Sequence, residues 1–143
     1  MFIIIVFILV FIDQLIKHMI FNNYMLGQSM PLIEDFLYIT YIKNTGVAFG
    51  FLKNNNIFMV IVISVIIILL LFFYFHEKKK SLVLNISIML LVSGAIGNLI
   101  DRIMRGFIID YINFTFWPAF NLADTLIVIG SFLLGFYIIF STE

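Results

Sequence analysis

Residues 57–75 read IFMVIVISVIIILLLFFYF and contain no charged side chain. At a rise of ~1.5 Å per residue, a helix of this length nearly crosses the ~30 Å hydrocarbon core of a membrane. The whole chain shares this character, because 64% of its 143 residues are hydrophobic and only 11% are charged. A soluble domain of this size cannot bury so much apolar surface. We therefore exclude a water-soluble enzyme and predict one integral membrane domain over residues 1–143.

Three further apolar stretches predict membrane-spanning helices, at about residues 2–21, 82–100 and 119–140. The stretch 82–100 carries no formal charge but contains small and polar residues such as Ser93, Gly94 and Gly97. Such residues are typical of a helix that packs against other helices. With residues 57–75, the sequence predicts four transmembrane helices.

The segment between the second and third spans sets the predicted orientation. Residues 76–81 read HEKKKS, and three consecutive lysines beside both spans indicate a cytoplasmic loop. Both termini then lie inside, and residues 22–56 and 101–118 lie outside. Within the outer segment, residues 36–42 are rich in aromatic and β-branched side chains and predict a strand that ends at the turn signal Asn44-Thr45-Gly46. The predicted fold class is an all-α integral membrane protein with a small β-rich platform on the outer face.

This topology places a set of acidic, amide and basic residues together at one membrane face. Polar groups at membrane depth are costly and tend to mark function. Any one of these acids could simply end a helix near water, but their concentration on one side favours a functional site. The set comprises Asp13, Asp101, Asp110 and Asp124 with Asn44, Asn98, Asn121 and Arg102.

Two of the four acids have basic partners at helical spacing. Asp13 precedes Lys17 by four residues, which is the favourable order for an ion pair on a helix. Asp101 stands in the same relation to Arg105. We therefore interpret Asp13, Lys17 and Asp101 as structural support at the ends of their spans.

The other two acids suggest chemistry. Asp110 lies in an otherwise apolar stretch with no basic residue within four positions, and Asp124 opens the fourth span. These carboxyl groups could face each other across a short hairpin, where one takes a proton from water and the other donates one to a carbonyl. A helix N-terminus favours an ionised Asp124, so Asp110 is our candidate for the proton donor.

Other kinds of site find little support in the sequence. The chain has no cysteine and two histidines, so we expect no metal and no cofactor. Ser93 has no base partner in view, which disfavours a serine nucleophile. The net charge is zero, and we expect no nucleic-acid partner.

Five short motifs together resemble those of the lipoprotein signal peptidase (signal peptidase II) family, aspartic proteases of bacterial membranes. The resemblance covers nearly the full chain, and the order and number of the motifs make it specific. The motifs are DQLIK (13–17), NTGVAF (44–49), GNLIDR (97–102), GFIID (106–110) and FNLADT (120–125).

The resemblance implies a function and a set of site residues. Asp110 and Asp124 would be the catalytic dyad, supported by Asp13 and Lys17. The substrate would be a preprolipoprotein that carries diacylglycerol on the cysteine just after the cleavage site, held at the outer face of the bacterial cytoplasmic (inner) membrane beside membrane lipid. Inhibition by the cyclic peptide globomycin would follow. The residues expected to line the site are Asn44, Gly46, Asn98, Arg102 and Asn121.

Two other classes of protein compete with this interpretation. A small channel or proton-coupled transport subunit could carry acids at its outer mouth, but a pore predicts acids through the membrane depth. A structural subunit of a larger complex would use the small-residue spans for docking, and it leaves the unpaired Asp110 unexplained.

Overall fold

The computed structural model describes residues 1–46 and 55–140. Expectations that concern residues 47–54, including Val47-Ala48-Phe49 of the second motif and part of the outer segment, lie outside the described residues, as do residues 141–143. The elements in chain order are α1 (Phe2–Asn23), β1 (Ser29–Ile33), β2 (Leu37–Asn44), α2 (Asn56–His76), α3 (Leu82–Arg105), β3 (Ile108–Phe114) and α4 (Leu122–Phe140).

The described part of the chain contains four helices that are long and apolar enough to cross a membrane, which confirms the predicted fold class. α3 is the central helix, since 61% of its span is buried against 22% or less in the other three. The small residues of α3 allow it to pack centrally among the other helices. A Cβ atom at Gly94 would collide with the carbonyl oxygen of Ala123, so the missing side chain lets α3 and α4 approach closely. The contact places the end of α3 beside the start of α4.

Two helix boundaries differ from the hydropathy-based prediction. α3 continues past residue 100 to Arg105, because Asp101 and Arg102 are buried in the protein instead of ending the helix in water. Gly106, with a φ of 78°, then ends the helix in the left-handed conformation that glycine adopts without strain. α4 begins at Leu122 and not at residue 119, because Phe120 pairs with Ile112 of the sheet.

The β-rich platform is a three-stranded antiparallel sheet in the order β1-β2-β3. β2 agrees with the predicted strand at residues 36–42. β3 corrects the expectation that residues 101–118 form a loop, because this segment pairs with the free edge of β2. Between Ile39 and Ile42 the register shifts by one residue, which forms a β-bulge next to Asp110. Ile20 of α1 packs with Tyr41, Ile109 and Tyr111 and so attaches the sheet to the helices.

Candidate active site

Asp110 is the buried acid of the sheet. Its side chain lies on β3, only 2% of the residue is exposed, and both carboxylate oxygens accept hydrogen bonds from amides. Asn44 of the neighbouring strand donates to Oδ2 at 2.9 Å. Asn121, in the turn before α4, donates to Oδ1 at 2.7 Å. Asp110, which has no basic neighbour in the sequence, therefore lies among neutral hydrogen-bond donors.

Asp124 lies in the first turn of α4, where it forms a reciprocal cap with Asn121. The Asp124 main-chain N–H donates to Asn121 Oδ1 at 2.9 Å, and the Asn121 main-chain N–H donates to Asp124 Oδ2 at 3.3 Å. This arrangement is the capping box that begins many helices. Asn98 of α3 donates to the other oxygen, Oδ1, at 2.8 Å. The carboxylate is thus oriented by two neighbouring elements.

Asn121 connects the two acids. Its buried side-chain amide donates to Asp110 Oδ1 and lies 3.3 Å from Asn98 Oδ1, while its side-chain oxygen caps Asp124. Asp110 and Asp124 are therefore linked through one asparagine side chain. The structure brings together the two acids and the three asparagines that the sequence singled out.

The ionisation of Asp110 reflects this environment. Burial raises the pKa of Asp110 from its ordinary value of 3.8 to about 7, and the nearby carboxylate of Asp124 acts in the same direction. The amide donors Asn44 and Asn121 and the charge of Lys17 oppose the rise, since they stabilise the ionised form. Two interacting carboxyl groups titrate as a pair, so near neutral pH the arrangement can hold one proton between them.

Arg102 lies at the edge of the site and is 1% exposed. Its Nη2 donates to the main-chain oxygen of Gly46 at 2.7 Å, and its own main-chain oxygen accepts a hydrogen bond from Asn56 at 2.8 Å. Arg102 therefore connects α3 to Gly46, just before residues 47–54, and to Asn56 at the start of α2. Sequence reasoning did not identify Asn56, because no local pattern indicates that α2 begins against α3.

A cluster of ion pairs lies behind the two acids. Lys17 Nζ is 2.8 Å from Asp13 Oδ2, and Asp101 Oδ1 is 2.6 Å from Arg105 Nη1, which confirms both predicted pairs. Lys17 Nζ also lies 3.1 Å from Asp101 Oδ2. Asp101 reaches the site through the main-chain N–H of Ile109, which donates to Asp101 Oδ2 at 3.2 Å. Sequence reasoning did not predict this third ion pair, since Lys17 and Asp101 belong to different helices.

Comparison with known proteins matches residues 5–140 to the family described as signal peptidase (SPase) II. The chain belongs to the signal peptidase II family. The lipoprotein signal peptidase of Halothermothrix orenii is 40% identical over 135 residues, which are 94% of this chain and 92% of that protein. The lipoprotein signal peptidase of Clostridioides difficile is 35% identical over 142 residues, or 98% of this chain and 95% of that protein.

Two solved structures share the fold of this chain. A bacterial membrane enzyme determined by the in meso method at 2.3 Å resolution has a TM-score of 0.92 and 33% sequence identity, and the match covers 99% of this chain and 89% of that one. A second such enzyme, determined at 1.9 Å, has a TM-score of 0.87 at the same identity, over 96% and 91% of the two chains. The chain is therefore a membrane-spanning peptidase with the fold of these enzymes.

Proposed function

We propose that the chain is an aspartic endopeptidase that removes the signal peptide from diacylglyceryl-modified prolipoproteins, cutting just before the lipidated cysteine. The observation that carries the proposal is the pair of acids, Asp110 and Asp124, that contact a shared asparagine side chain. The names of the relatives supply the lipoprotein as the substrate class. No cofactor enters the proposal.

The proposed reaction uses the two carboxyl groups in opposite roles. Ionised Asp124 takes a proton from a water molecule, whose oxygen attacks the scissile carbonyl carbon, while protonated Asp110 gives its proton to the carbonyl oxygen. The resulting tetrahedral intermediate collapses as the C–N bond breaks, Asp110 recovers its proton from the hydroxyl group, and Asp124 protonates the leaving nitrogen. Arg102 and the asparagines Asn44, Asn98 and Asn121 hold the peptide or stabilise the oxyanion.

The proposed topology explains how such a site reaches its substrate. With the lysine-rich loop in the cytoplasm, both termini are cytoplasmic and the sheet lies at the outer face of the bacterial inner membrane. A peptide bond next to a lipidated cysteine lies at this depth while the acyl chains remain in membrane lipid. The sheet supplies main-chain groups that can bind an extended peptide.

The distribution of buried charge favours this enzyme over a channel. Within the described residues, the buried charged side chains lie on β3, in the second half of α1 or near the end of α3. They are Asp13, Lys17, Asp101, Arg102 and Asp110. Deeper in α3, buried Ser87 and Ser93 donate to carbonyl oxygens of their own helix, at Leu84 and Met89. A proton or ion path would need polar groups free to face it along the membrane depth.

Cleavage of a lipidated precursor tests the proposed function. We expect the purified protein, in detergent or vesicles, to cut diacylglyceryl-modified prolipoprotein and to leave the same precursor without the lipid uncut. Globomycin is expected to block the reaction. The products are separated by gel electrophoresis, and the cleavage site is read by mass spectrometry. Equal cleavage of both precursors, or of neither, would contradict the proposal.

The pKa of Asp110 predicts a pH dependence for this reaction. Because the proton donor must be protonated and the pKa of Asp110 is about 7, kcat/KM is expected to fall above pH 7 by about tenfold per pH unit. The folded pKa also exceeds the ordinary value of 3.8, so this group stabilises the fold most at low pH. That contribution is lost as the pH rises from 3.8 to about 7. A pH profile of kcat/KM and thermal melts at matched pH values check both signs. A rate that rises from pH 7 to 9 would contradict the assignment of Asp110 as donor.

A further inference from the structure

Each acid of the dyad directly follows a residue whose main-chain N–H is bound by one of the supporting acids. Ala123, which precedes Asp124, donates its N–H to Asp13 Oδ1 at 3.0 Å. Ile109, which precedes Asp110, donates its N–H to Asp101 Oδ2 at 3.2 Å. The same type of contact therefore occurs at equivalent positions on α4 and on β3.

Lys17 joins these two supporting acids. Its ammonium nitrogen lies 2.8 Å from Asp13 Oδ2, 3.1 Å from Asp101 Oδ2 and 3.0 Å from Asn98 Oδ1. A lysine ammonium group has three hydrogens, and here three oxygens accept them. The position of the Lys17 ammonium group is therefore fixed by three contacts. The residue is fully buried. We call Asp13, Lys17 and Asp101 the lysine bridge.

Two further residues hold the lysine bridge in place. A Cβ atom at Gly97 would lie 2.6 Å from Asp13 Oδ2, so only glycine leaves room for this carboxylate between α3 and the start of α4. Gln14 Nε2 donates to the main-chain oxygen of Gly97 at 2.9 Å and lies 3.2 Å from Asp13 Oδ2 and 3.3 Å from Asp101 Oδ1. The space at Gly97 and the hydrogen bonds of Gln14 thus help to hold both carboxylates of the bridge in place.

We propose that the lysine bridge sets the separation of Asp110 and Asp124, with Asp13, Lys17 and Asp101 as positioning residues that act through the main chain. The proposal rests on the proposed function for the role of the dyad. Asp110 lies on a strand and Asp124 on a helix. Besides the bridge, these segments are joined by the side chain of Asn121, by main-chain hydrogen bonds between Ile112 and Phe120, and by the Leu122 N–H, which donates to the Tyr111 hydroxyl. Since a displacement of about 1 Å in a catalytic group lowers the rate about a hundredfold, the bridge controls kcat.

Gly97→Ala tests the proposal without changing any charge. The added methyl group displaces the Asp13 carboxylate from the Ala123 N–H, and we expect kcat per folded molecule to fall about a hundredfold with KM nearly unchanged. The matched control is Gly135→Ala in α4, where a Cβ atom meets nothing within 4 Å among the described residues. We expect this control to keep wild-type kcat. A purely stabilising bridge would lower the folded fraction and leave kcat per folded molecule intact, and that result would overturn the proposal.

Amide hydrogen exchange distinguishes an error in the proposed role of the lysine bridge from an error in the proposed function. In Gly97→Ala and Asp13→Asn, the amide of Ala123 is expected to exchange faster than in wild type and in Gly135→Ala, measured by mass spectrometry on peptides that cover residues 121–126. If wild type cuts no prolipoprotein but this change in exchange occurs, the bridge is supported and the proposed function falls. If wild type is active and exchange at Ala123 is unchanged in both variants, the bridge is overturned.

Discussion

Asp110→Asn is expected to lower kcat/KM for cleavage by about 10²- to 10⁴-fold, the range over which a positioned acid or base contributes to catalysis. The asparagine has nearly the same shape as aspartate but cannot give up a proton to the scissile carbonyl. The fold should persist, because the new side chain keeps one oxygen that can accept from Asn44 or Asn121, the present partners at 2.9 and 2.7 Å. Initial rates on folded, monodisperse protein measure the effect.

The matched control for this variant is Asp35→Asn. Asp35 lies in the turn between β1 and β2 and is exposed, and its φ of 58° is one that asparagine tolerates well. We expect wild-type activity from it. If Asp110→Asn retains activity within tenfold of wild type, the dyad assignment is wrong, and Asp101 becomes the candidate partner of Asp124.

Among the substitutions named above and below, Lys17→Met is expected to lower the free energy of unfolding the most. Methionine fills a similar volume but removes the positive charge between Asp13 and Asp101, both of which are fully buried. Removing one partner of a buried ion pair typically costs about 3–5 kcal/mol, because the remaining charge is left without compensation. The free energy of unfolding, measured by denaturant titration in mixed micelles, gives the size of the effect.

A second variant distinguishes loss of charge balance from loss of packing. In Lys17→Met with Asp13→Asn, a positive and a negative charge leave together, so the double variant is expected to recover part of the stability lost by Lys17→Met alone. Lys78→Met, in the exposed loop between α2 and α3, is the control and should change stability by no more than about 0.5 kcal/mol. A double variant that is less stable than Lys17→Met would show that charge compensation is not the reason for the bridge.

Much of the fold could be predicted because the hydropathy of each stretch of the chain depends only on its local sequence. Residues 57–75 of α2 carry no charge and are long and apolar enough to cross a membrane, and the β-branched and aromatic residues of β2 favour a strand locally. β3 could not be assigned in the same way. Residues 108–114 follow a membrane span directly, and they become a strand because β2 offers them an open edge.

In the candidate site too, contacts between residues close in sequence could be predicted, and contacts between distant residues could not. Asp13 with Lys17 and Asp101 with Arg105 are spaced four residues apart on helices, so their pairing follows from helical geometry. Gln14 could not be recognised as part of the site, because its partners Gly97 and Asp101 are more than 80 positions away in the chain. Contacts of this kind depend on how α1 packs against α3.

The sequence by itself determined the number of spans and the two local ion pairs, and it predicted that the acids gather toward one membrane face. Tertiary structure decided how these ion pairs join and which groups surround the other two acids. Asp13 and Asp101 share the charge of Lys17, whereas Asp110 and Asp124 receive hydrogen bonds from amides in the described part of the chain. The physical reason is distance in three dimensions, since the carboxylate of Asp13 binds a main-chain N–H 110 positions further along the chain. Packing of α1, α3 and α4 thus gives the same type of side chain a structural role at two positions and the proposed catalytic role at two others.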